Sequence, residues 1–131
     1  MNKTIAARLL GFGMAFTVVP ATQAHHSAIA FDLAAPEVSV TGKFIQFILR
    51  SPHTSINLEV INAKGETEIW KWEGGGTVAL VKSGVTRETI KAGQTLSVTG
   101  NPLRDRSPGG LMRSVILEDG TKIEFGDAAT Q

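Results

Sequence analysis

"TSINLEVINAKGETEIWKWEGGG", residues 54–76, decides the fold. In its first half Ile56, Leu58 and Val60 alternate with Ser55, Asn57 and Glu59, the period-two pattern of a half-buried strand. "NAKGE" follows, with Gly65 free to take the positive φ of a tight turn. "TEIWKWE" then alternates again, with Ile69 on one face and Trp70 and Trp72 on the other. Two strands around one turn make an antiparallel hairpin, and the run Gly74–Gly76 ends it.

Outward from this hairpin the chain continues as strands. Before it, "VSVTGKFIQFIL" from Val38 reads as a long strand in which Gly42 predicts a bulge or sharp coil. After it, "TVALVKSG" predicts a short helix with Thr77 as cap, Val78, Leu80 and Val81 facing inward, and Gly84 as the stop. "VTRETIKAGQ" predicts a second short turn or helix. "TLSVTG" predicts a fourth strand, "NPLRDRSPGG" a loop and "LMRSVILEDG" a fifth strand. "TKIEF" is a sixth, short strand after the Asp119–Gly120 turn. Five or six short strands with one small helical insert between the third and fourth give a mainly β fold, a small OB-like barrel.

The N-terminal 24 residues read differently. Lys3 and Arg8 precede the apolar run "LLGFGMAFTVV", which is too short to span a bilayer, and "TQA" places small residues before His25. The expectation is a signal peptide over 1–24, an extended N-terminal arm over 25–37, a barrel domain over 38–126 and a flexible tail over 127–131. A periplasmic or secreted location follows, with no transmembrane segment after cleavage. Cleavage would remove two of the 13 basic residues and none of the 12 acidic ones. The remaining charge, near −1, argues against an electrostatic nucleic-acid binder. The absence of cysteine from the chain excludes disulfides, a thiol nucleophile and thiolate-ligated metals.

The residues with most chemistry are the three histidines, His25, His26 and His53. If the chain is cut after Ala24, His25 carries a free α-amine. Amine and imidazole both lose their protons near neutral pH and can chelate one ion together. A third nitrogen from His26 or His53 would complete an N₃ set, which suits copper(II). Asp32 is the nearest carboxylate in sequence. Trp70 and Trp72, sharing one face, would be a stacking platform for a glycan if exposed and core if buried. "EGGGTV" lacks the lysine of a phosphate-binding loop. Arg104, Arg106 and Arg113 could grip an anion, although Asp105 among them favours a solvated loop. No serine lies in a nucleophile turn and no paired carboxylates are identifiable, so no catalytic residue and no reaction are assigned.

Taken in order, "AHHSAIAFD", "TGKF", "SPHT", "WEGGGTVALVKSG", "KAGQTLSVTG" and "LMRSVILEDG" resemble a family of small exported bacterial proteins of unknown function. The family has AHHS, NPH-like and EGG motifs. The resemblance covers residues 24 to about 123 and implies that His25, His26 and His53 belong to the family pattern. This chain has Ser51 where the family usually has Asn, and Ser55 where it has an aromatic residue. The expected function is periplasmic binding of a metal ion, copper fitting best, through the N-terminal His and the loop His. The alternative is a non-catalytic envelope module that uses the tryptophan face to recognise a glycan or protein partner.

Overall fold

The computed structural model describes residues 29–49, 53–86 and 88–125. Six strands follow one another: β1 (Val38–Leu49), β2 (Thr54–Ile61), β3 (Thr67–Gly74), β4 (Thr95–Pro102), β5 (Gly109–Ile116) and β6 (Lys122–Glu124). One short helix, α1 (Thr77–Lys82), lies between β3 and β4. The sheet order is β3-β2-β1-β4-β5-β6, and a further pairing of β3 with β5 closes five strands into a barrel with β6 outside it. The mainly β, OB-like architecture expected from the sequence is the one observed.

β1 is shared between the two halves of the barrel. Val38–Lys43 pair with β4, and Lys43–Leu49 pair with β2. The changeover sits at Lys43, beside Gly42, where a Cβ would meet the Glu59 carbonyl and lie 2.7 Å from Val60 Cγ2. The register shift itself lies further along, between Phe44 and Gln46, so the irregularity is near the glycine and not at it; what Gly42 provides is the close approach of β2.

The closure is a parallel pairing of only three residues: Lys71 with Gly109, Trp72 with Gly110, and Glu73 with Leu111. The loop read as "NPLRDRSPGG" is therefore shorter than expected. β4 extends through Pro102, and β5 starts at Gly109 because β3 supplies it with a parallel neighbour. Inside the seam stands Trp72, fully buried at 0% exposure. Gly110 lies beside it in the pairing, and Gly100 lies on the next strand, β4. A Cβ at Gly100 would come to 3.0 Å from the indole Cζ3, and one at Gly110 to 2.8 Å; both would also run into backbone carbonyls. Both glycines thus leave room for the indole.

Ile56, Leu58, Phe44, Leu96, Val98, Met112 and Val115 complete the core around this ring. Leu80 enters from α1, and Val85 and Ile90 from the turns that follow it. Val81, expected to face inward, is 57% exposed, because a helix of six residues presents one apolar stripe and Leu80 occupies it. The Asp119–Gly120 hairpin is present: Leu117 and Thr121 bracket it, with the Leu117 N–H donating to the Thr121 carbonyl at 2.9 Å.

Alanine at Gly110 should force the seam apart and cost about 1–3 kcal/mol, the usual range for overpacking. Urea unfolding of Gly110→Ala measures it. A midpoint equal to that of the parent chain would mean that the indole does not depend on this gap.

Candidate functional site

The N-terminal arm is the feature built most deliberately onto the barrel. Phe31 forms a bridge with Leu103, just beyond the end of β4, and is 4% exposed. The Asp32 N–H donates to the Pro102 carbonyl at 2.9 Å, and the Arg104 N–H donates to the Ala30 carbonyl at 2.9 Å. Two arginines from the same loop add side-chain contacts. Arg104 Nε donates to the Ile29 carbonyl at 2.8 Å, and the Arg106 guanidinium lies 2.9 Å from Asp32 Oδ2. Arg106 takes the left-handed backbone conformation, φ 61°, in a turn closed by its N–H on the Leu103 carbonyl. Asp105 stabilises the same turn by accepting from the Ser107 hydroxyl and N–H. Those two donors hold its carboxyl below the usual carboxylate range.

The arginine loop, read from sequence as an anion grip or a solvated loop, is thus a clasp for the arm. Arg113 stands apart from it, donating through Nε to the buried Asn101 Oδ1 at 2.8 Å. No local pattern could have announced the clasp, since Asp32 and Arg106 are 74 positions apart.

Of the proposed metal ligands, His53 is exposed and immediately precedes β2. His25 and His26 lie outside the described residues, as do the segments expected to be a signal peptide, 1–24, and a flexible tail, 127–131. Among the described residues no three His, Cys, Asp or Glu side chains gather into a metal-holding group. Any metal site built on these histidines therefore needs the N-terminal segment. Ile29, the first described residue, fixes where that segment leaves the barrel.

Trp70 and Trp72 do share a face, as the alternation implied, but it is the inner face. Their rings stack at 5.7 Å with 25° between planes. Trp72 is buried, and Trp70 is half-buried with its Nε1 donating to Glu68 Oε2 at 3.2 Å. The reading of the pair as core holds for Trp72, and the two indoles do not form an exposed platform. Ile56 and Leu58 on β2 set the inner face, and their cross-strand partners Trp72 and Trp70 must follow them inside. Ile69 is left outside at 50% exposure. The outer face of this hairpin carries Asn57 opposite Lys71, and Lys71 Nζ pairs with Glu73 Oε1 at 3.2 Å. An apolar groove of about 190 Å³ between the end of β1 and α1 is lined by Phe47, Leu49, Leu80, Val81 and Val85.

The clasp should owe most of its strength to Phe31. Phe31→Ala should cost about 3 kcal/mol through lost burial. Arg106→Ala should cost less than about 1 kcal/mol, because its guanidinium is mostly in water. Denaturant unfolding, together with proteolysis of the arm, separates the two. Arm cleavage as fast in the parent chain as in Phe31→Ala would refute the anchoring.

Among the described residues no helix is long and apolar enough to cross a membrane. The chain resembles a solved structure of Rim1, a mitochondrial single-stranded DNA binding protein from S. cerevisiae. The TM-score is 0.47 at 12% identity, over 63% of this chain and 94% of that one. No curated protein matches. Residues 14–113 match DUF6152, a family of unknown function, and the chain belongs to that family.

Proposed function

We propose that this protein is exported to the periplasm and there binds a metal ion, copper being the best match to its donors. The reading assigns the first two nitrogens to the α-amine and imidazole of His25 after cleavage behind Ala24. The third comes from His26 or His53. An all-nitrogen set without thiolates suits copper(II) over softer-ligand metals. The observation that supports it is the clasped arm. A chelating terminus on a loose tail would lose conformational freedom on closing around an ion. A tail tied down at Phe31 and Asp32 starts from a restricted volume, so less remains to be ordered.

No reaction is assigned.

The test begins with the full-length gene, expressed with its leader, and protein recovered from the periplasm. Intact mass should place the first residue at His25. Copper(II) titration should then give one ion per chain at micromolar protein. His25→Ala should weaken binding by at least tenfold, since it removes one arm of the chelate. A different first residue, or no copper retained at micromolar protein, would remove the proposal.

A further inference from the structure

The connection between β4 and β5 is held at both of its ends. At its start Leu103 bridges Phe31 of the arm, and the Arg104 N–H and side chain donate to the Ala30 and Ile29 carbonyls. At its finish the Pro108 carbonyl accepts from the Lys71 N–H at 3.4 Å, and Gly109 pairs with Lys71 in the parallel seam. Between these ends the chain is tied to itself. The Arg106 N–H donates to the Leu103 carbonyl at 3.1 Å, and the Asp105 carboxylate accepts from both the N–H and the hydroxyl of Ser107. The connection is therefore a short, stiff link between the arm and the seam.

Leu103 also spans the link directly. A Cβ placed on Gly109 would lie 3.4 Å from Leu103 Cδ1 and would run into the Lys71 carbonyl. Phe31, Leu103, Gly109 and Lys71 thus stand in one unbroken line from arm to seam. The seam is the weakest join of the closed barrel, three residue pairs where β1 has six with β2 and six with β4. Local opening starts where the fewest interactions must be given up. Whatever positions Gly109 therefore acts on the join that has least of its own to hold it.

We infer that the N-terminal arm is a latch on barrel closure. Docked, the buried Phe31 ring holds Leu103 over Gly109 and keeps residues 109–111 against residues 71–73. Released, the link loses its anchor at one end and the seam opens, while the β1–β4 and β2–β3 ladders stay paired. Opening turns the backbones of 71–73 and 109–111 into free strand edges and uncovers the Trp72 ring. The coupling runs both ways, so an open seam weakens arm docking by the same factor. A partner that draws the arm away opens the barrel, and one that holds the arm in place keeps it shut. This device rests on the barrel and its arm, and not on the metal-binding reading.

Amide hydrogen exchange, on protein purified from the full-length gene, reads the seam directly. In Phe31→Ala, exchange within 71–73 and 109–111 should accelerate by about tenfold or more, and within 38–43 and 56–61 by less than about threefold. A second variant covers the case in which Phe31→Ala does not fold. The hydrogen bonds from Asp32 to Pro102 and from Arg104 to Ala30 flank the Phe31–Leu103 bridge, the narrow kind of antiparallel pair, with about 4.5 Å between Cα atoms. That spacing admits a disulfide, and the chain has no other cysteine to compete for it. In the double variant Phe31→Cys with Leu103→Cys, oxidation should slow seam exchange by about tenfold or more relative to the reduced form, with the two ladders nearly unchanged. Seam exchange that ignores both changes overturns the inference. So does exchange that shifts equally in seam and ladders, since the arm would then support the whole barrel and not its closure.

Discussion

The barrel depends on what happens at one indole. Three parallel residue pairs are all that join β3 to β5, and without them the molecule would be an open, six-stranded sheet with two raw edges. Trp72 stands at this join. Burying an indole removes on the order of 200 Å² from water, worth about 5 kcal/mol at the usual coefficient. Its Nε1 finds no acceptor, a cost of about 1–3 kcal/mol. The apolar term is the larger, so the ring stays inside despite the unmet donor. Gly100 and Gly110 make that possible, since any side chain at either would occupy the space of the ring. Met112 is packed in the same core, and a Cβ on Gly74 would lie 2.9 Å from its Cε. The seam is therefore a packing arrangement first and a hydrogen-bond ladder second.

Much of this was readable from residue order, and the parts that were not share a cause. The β2–β3 hairpin, the helix after the glycine run and the Asp119–Gly120 turn all rest on neighbours a few positions apart. Period-two alternation reports that Trp70 and Trp72 share a side, but not which side, because Ile69 between them is apolar too. Only the register with Ile56 and Leu58 decides it. The parallel closure pairs residues 71–73 with residues 109–111, for which no local code exists. Turn-forming residues made Pro102 and Gly109–Gly110 look like loop, yet strand pairing takes them in.

The candidate site follows the same division. His53 sits at an exposed chain connection, as its place after proline suggested. The arm was recognisable as a segment outside the barrel pattern. Its docking place was not, because Phe31 finds Leu103, and Asp32 finds Arg106, across most of the chain. Exposed arginines next to an aspartate normally signify a solvated loop. Here the backbone of the arm, through the Ile29 and Ala30 carbonyls, is what those residues hold.

That long separation bears on the order of assembly. Ile29 to Asp32 leave the ribosome early, while residues 103–106 are made more than 70 positions later. The hairpin of β2 and β3 can form from adjacent chain as it emerges, but the first-made segment has nothing to grip until the stretch after β4 exists. Docking this segment is therefore a contact of high sequence separation, whose loop closure costs more chain entropy than the adjacent β2–β3 hairpin.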